Sequence, residues 1–168
     1  ATYAMVFTMV AFDGIMALQP HWFSNLLGGF YFMGSFLGAH MLLALTVMYA
    51  GTQTGVWNLI SPKQRHDLGK LCFGFTVFWA YLRFAQFLVI WYGNVPVETR
   101  YVLQRFFSDP WRMLALTSFF LGWVIPFSYF LGRLTGRPPE GHRILIVISS
   151  MALLAVFLEV LVLVLPST

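Results

Sequence analysis

Five apolar runs, each about as long as a bilayer is thick, follow one another along this chain with only short polar breaks between them. Crossing a hydrocarbon core of ~30 Å takes about 20 apolar residues in a helix. The runs fall at about 1 to 19, 22 to 50, 70 to 93, 111 to 132 and 143 to 165. They predict an all-α, polytopic transmembrane helix bundle with about five spanning helices. Gly and Pro punctuate the breaks: Gln19 and Pro20, then "GTQTGVWNLISPKQR", "GNVPVETR" and "TGRPPEGHR". The connections are too short for a soluble domain, so residues 1–168 read as one integral membrane domain. Composition agrees, with 59% hydrophobic and 10% charged residues against about 25% charged in ordinary globular domains. Ala1 opens inside an apolar segment, without an initiator Met or a charged leader, and the chain reads as a piece of a longer subunit. No internal repeat is present. One polar stretch, "VETRYVLQRFF" between spans three and four, carries charges spaced for a short interfacial helix.

The net charge of +4 does not point to nucleic acid, because the basic residues sit in short loops and there set orientation. Lys63, Arg65, Lys70, Arg133, Arg137 and Arg143 lie on one side, and Arg100, Arg105 and Arg112 on the other. The positive-inside rule then places the loops at 51–69 and 133–142 in the cytoplasm. A single cysteine, Cys72, excludes an intrachain disulfide, a Cys-x-x-Cys-His haem attachment and an iron–sulfur cage. Nor do the histidines suit haem b: His21 and His40 lie near opposite ends of one helix, and His66 and His142 belong to loops.

Ionisable groups inside the spans are the strongest functional signal, since each costs about 3 kcal/mol at the helix centre. Asp13, Arg83 and Glu159 are such groups. At 1.5 Å per residue, Asp13 and Glu159 lie roughly 9–10 Å and Arg83 roughly 15 Å from their outward exits. Arg83 is long enough to reach either acid, and a structural ion pair joining helices explains these charges as readily as a proton relay does. Toward the other side, His66, Asp67 and Lys70 fall within one helical turn, and His40 lies at a similar depth. By spacing alone, an ordinary helix start, with Asp67 on the N-terminal dipole and Lys70 snorkelling to headgroups, is the commoner account of that cluster. As a relay, the inner set His40, His66, Asp67 and Lys70 would connect through Tyr81, Arg83 and water to the outer set Asp13 and Glu159. No residue is expected to be catalytic, and none to hold a metal or cofactor.

Of the aromatics, Trp91 and Tyr92 suit an interfacial belt, as does His21 with Trp22. Trp79 and Tyr81 lie deeper, where packing is the commoner use and contact with a quinone ring the alternative. "GGFYFMGSFLGAH" carries small residues that allow close helix approach.

Three stretches, "ALQPHWFSNLLGGFYFMGSFLGAH", "HDLGKLCFGFTVFWAYLRFAQFLVIWYGNVPVETRYVLQR" and "FLEVLVLVLP", together resemble the F subunit of bacterial alternative complex III, an NrfD-like membrane protein. The resemblance covers most of this chain but only the later part of that subunit, which has about ten spans. It implies a redox-free membrane subunit of a quinol:electron-acceptor oxidoreductase in the bacterial cytoplasmic membrane. Such a subunit supports assembly and offers a transmembrane proton path. Its partners would be a homologous quinol-binding membrane subunit, an iron–sulfur subunit, haem c subunits and membrane lipids. Haem c, iron–sulfur clusters and quinol would be bound by those partners. His66, Asp67 and Lys70 fall on the family's HDLGK motif, Asp13 on the acid preceding its PHWF turn, and Glu159 on an Asp of its penultimate helix. Arg83 and Val156 depart from the pattern, which has a neutral residue and a His there. The other readings are a purely structural scaffold of the complex and a stand-alone transporter. The lack of internal repeats or paired discontinuous helices disfavours the latter.

Overall fold

The computed structural model describes residues 2–19, 22–55, 59–134 and 142–167. Among them the chain is almost entirely helical, with no strand. The elements are α1 (Thr2–Val10), α2 (Leu27–Thr54), α3 (Pro62–Gly93), α4 (Pro96–Phe106), α5 (Trp111–Phe119), α6 (Ile125–Leu134) and α7 (His142–Val164). Four stretches are long and apolar enough to cross a membrane: Leu27–Gly51, Pro62–Gly93, Trp111–Gly132 and Ile144–Val164. These are four of the five expected spans. The first expected span is a shorter apolar helix, Thr2–Leu18, in which α1 passes through a π turn at Ala11–Ile15 and a 3₁₀ turn at Met16–Leu18.

The third span starts eight residues before the expected Lys70, so most of the expected loop at 51–69 is helix, at the end of α2 and the start of α3. The cause is local. Ser61 caps α3 by accepting from the Gln64 backbone N–H, Gln64 Oε1 accepts in return from the Ser61 N–H, and Pro62 fills the first helical position. This reciprocal box satisfies two orphan donors at a proline-initiated start. Gly55 ends α2 and Asn94 ends α3, both in the left-handed region. The polar stretch after α3 forms α4, as its spacing predicted. Pro20, His21, Arg137 and the rest of 135–141 lie outside the described residues.

The fourth span is continuous but widened in the middle. Pro126, fully buried, lacks an N–H and its ring would collide with the Gly122 carbonyl four residues back. The helix opens there into a π turn, Phe120–Val124, and the Ile125 N–H donates to Phe120 O.

Within the bundle α2 is central, packed against α1, α3 and α7, while α5 and α6 close against α7 and α3. Its buried stripe, Leu27, Phe30, Met33, Leu37, Met41, Ala44 and Met48, repeats every three or four residues, as one helix face must. Glycines set the close approaches. A Cβ on Gly28 would come within 2.6 Å of Thr8 on α1. The Trp79 indole, 1% exposed, lies between two others. A Cβ would stand 3.4 Å from it at Gly34 and 3.2 Å from it at Gly122, where Ala155 is also only 3.0 Å away. Trp79 is therefore a packing residue at the crossing of three spans. Several hydroxyls are satisfied by their own helices: Thr8, Ser35 and Thr76 donate to carbonyls four residues back at 2.8, 3.0 and 2.7 Å.

Candidate functional site

One charged residue of α3 and one of α7 meet in the interior. Arg83 Nη1 donates to Glu159 Oε2 in an ion pair whose two side chains are 9% and 7% exposed. Ser118 of α5, fully buried, donates to the same carboxylate oxygen at 2.7 Å. Arg83 Nη1 also lies 3.3 Å from the Ser118 hydroxyl, and its Nη2 donates to Ala115 O at 3.1 Å. One guanidinium thus binds three spans together. Trp79, Phe106 and Phe119 place their rings 5.5–5.8 Å from its central carbon, where cation–π attraction offsets part of its desolvation.

Near Glu159, residues of α4 line the same cavity. Tyr101 and Arg105, one turn apart on α4, turn inward and are 5% and 1% exposed. The Arg105 guanidinium lies 3.7 Å above the Tyr101 ring, and Trp22 stacks parallel to that ring at 3.7 Å. Arg105 also donates to Leu163 O at 2.9 Å and to Gln19 Oε1 at 3.4 Å, and Gln104 Nε2 donates to Pro166 O. These bonds tie α4 to the ends of the first helix and of α7. Burial pushes the Tyr101 phenol well above the ordinary tyrosine range, with Arg105 opposing and Glu159 adding to the shift. Burial lowers Arg105 and Tyr101 opposes that change.

Between the two groups lies a cavity of about 30 Å³ lined by Arg83, Gln86, Tyr101, Arg105 and Glu159 among apolar neighbours. That is space for on the order of two waters. The Tyr101 hydroxyl is buried and has no hydrogen-bond partner among the described residues. A donor this deeply buried is costly unless water reaches it, and the cavity supplies the room.

The remaining predicted residues are distributed differently. Asp67 and Lys70 form an ion pair at 3.9 Å with both side chains half exposed, and His66 is half-buried beside them. His40 lies one layer deeper, its imidazole between the Phe36 and Phe75 rings at 4.5 and 4.6 Å. Its Nδ1 is 2.8 Å from Phe36 O; a carbonyl only accepts, so Nδ1 carries the proton. Between this end and Arg83, α3 rises roughly 20 Å past Cys72, Thr76 and Trp79, all buried. Tyr81, 59% exposed and stacked on Phe78, points out of the bundle rather than toward Arg83. Asp13 is exposed on the outer side of the first helix, inside its π turn. Of the two acids within its expected reach, Arg83 takes Glu159.

Ser118, Gln86, Tyr101 and Arg105 belong to this site and were not singled out by the sequence reading. Tyr101 and Arg105 had one available signal, their four-residue spacing on an interfacial helix. Ser118 and Gln86 stand out only as polar residues within apolar spans. Compared with known proteins, the sequence matches no family model and no curated protein.

Proposed function

We propose that the chain is a redox-free membrane subunit of a quinol-oxidising complex of the alternative complex III kind. It supports assembly and carries the outer end of a transmembrane proton path. The resemblance of "HDLGKLCFGFTVFWAY" and its companion stretches supports the family. The observation that carries the proton role is Glu159 on a water-sized cavity with the Tyr101 hydroxyl, which is unpartnered among the described residues. A dry structural ion pair needs neither the space nor the phenol. In this reading the bacterial cytoplasmic membrane holds the chain with the 51–69 and 133–142 segments on the cytoplasmic side. His66, Asp67, Lys70 and His40 form the inner mouth. Asp13 and Tyr81, both on exposed faces, meet groups contributed by partner membrane subunits, which complete the route between the two ends. The iron–sulfur and haem c subunits carry the electrons, and quinol is oxidised in a homologous subunit.

A purely structural scaffold is the second reading, favoured by the donation of both terminal nitrogens of Arg83 to protein acceptors on two neighbouring spans. The complex purified through this chain and reconstituted in liposomes separates the two. With Glu159→Gln or Asp67→Asn, the proton path predicts normal assembly, haem c content and quinol oxidation with a lower proton-to-electron ratio. The scaffold predicts either lost assembly or an unchanged ratio. A chain that elutes without haem c or quinol oxidation, despite partners intact in the membrane, rejects both.

A further inference from the structure

On the other side of Arg83, away from the cavity, α3, α4 and α5 leave an open groove of about 470 Å³. Its walls are phenylalanine, from Phe84 and Phe87 on α3 to Phe106, Phe107 and Phe119. Arg83 forms its buried floor, and Arg112, exposed, stands at its rim. We propose that this groove binds one anionic phospholipid, with its phosphate on the Arg112 guanidinium and an acyl chain along the phenylalanines.

Three observations select that occupant. Arg112 follows Trp111 at the start of the span Trp111–Gly132, the level at which Trp and Arg meet headgroups. Its side chain makes no hydrogen bond or ion pair among the described residues, so its charge is available, and a guanidinium matches phosphate in a bidentate fork. The rest of the lining is apolar apart from Arg83, whose two terminal nitrogens already donate to Glu159, Ser118 and Ala115. A quinol needs acceptors for its two hydroxyls, and no lining side chain offers one. A zwitterionic lipid brings its own cation and gains less from Arg112. Once seated, the acyl chain covers the floor of the groove and keeps water from Arg83 on this side. The assignment does not depend on a proton path.

The test is native mass spectrometry of the full chain, purified in mild detergent and mixed with equal amounts of phosphatidylglycerol and phosphatidylcholine. One phosphatidylglycerol should be retained in preference. Arg112→Gln should weaken that retention about fivefold, the effect of one basic residue at a membrane surface, and Arg112→Lys should keep most of it. Arg100→Gln, which removes an exposed charge of α4 outside the groove, should leave it unchanged. Leu116→Trp, which fills the groove with Arg112 intact, should expel the lipid. Equal retention of the two lipids, or indifference to both Arg112→Gln and Leu116→Trp, overturns the proposal. So does displacement of phosphatidylglycerol by an equimolar quinol analogue.

Discussion

Arg83 and Glu159, 76 positions apart in sequence, meet as a buried ion pair at the point where α3, α5 and α7 converge. Taking two charges out of water costs several kcal/mol each, and their attraction repays this only when further hydrogen bonds complete the geometry. Ser118 and Ala115 supply those bonds. Removing one partner strands the other, so Glu159→Leu or Arg83→Met alone should cost about 3–5 kcal/mol. The double variant should recover most of that loss. Denaturation in detergent, read as a double-mutant cycle, measures the coupling. Equal losses in the two singles that simply add in the double would mean the charges do not depend on each other.

The Trp79 crossing gives a steric prediction. Gly122→Ala sets a methyl 3.0 Å from the Ala155 Cβ and 3.2 Å from the indole, closer than carbon atoms pack, and should cost about 1–3 kcal/mol. Gly74→Ala is the matched control, because a Cβ there meets nothing within 4 Å; the better helix propensity of alanine makes it neutral or slightly stabilising. Thermal denaturation of the two variants side by side decides the matter, and equal midpoints would show that helix flexibility, not contact, fixes Gly122.

The Tyr101 phenol predicts a pH dependence. Its raised pKa means that the folded chain holds this proton in a range where an unfolded tyrosine has lost it. The folded state therefore binds more protons, and stability must fall as pH rises through about 10 and beyond. Tyr101→Phe should flatten that fall and remove the highest-pH component from the absorbance titration of tyrosinate. A titration in which Tyr101→Phe deletes an ordinary component near pH 10 would contradict the burial.

How much of this was legible in advance follows from what apolar sequence can say. Run length gave the helices, and Gly and Pro gave their breaks, because a bilayer fixes how many residues must cross it. It could not give their inward faces: when a helix is apolar all round, hydropathy has no stripe. The inward faces are marked instead by small and polar residues, Gly34, Thr76, Arg83, Gln86, Ser118 and Glu159, all in contact with neighbouring helices or buried. The charges Arg83 and Glu159 were visible as a pair in waiting, yet choosing Glu159 over Asp13 required the packing of α7 on α5. Likewise Ser61, Pro62 and Gln64 spell the start of α3, but their signal was outweighed by the polar residues that follow. Arg105 shows the opposite limit. Counted by sequence it is an orientation charge at a membrane surface, while the fold withdraws it to 1% exposure, leaving Arg100 and Arg112 on that side.

That withdrawal makes Arg105 the latch of α4. Its guanidinium stacks on Tyr101 and donates to Leu163 O and Gln19 Oε1, so one side chain fixes α4 to two other elements. A desolvated cation–π contact together with a charged hydrogen bond is worth about 2–4 kcal/mol. Lysine cannot replace it, because an ammonium lacks the flat face and the fork that reach the ring and both acceptors together. Arg105→Lys and Arg105→Ala should therefore both loosen α4. Hydrogen exchange should accelerate at the amides from Tyr101 to Phe106, while the α2 and α3 amides around Leu37 and Thr76 keep their protection. Acceleration spread evenly over all the helices would instead make Arg105 part of the global core, and an unchanged pattern would leave α4 held by its apolar contacts alone.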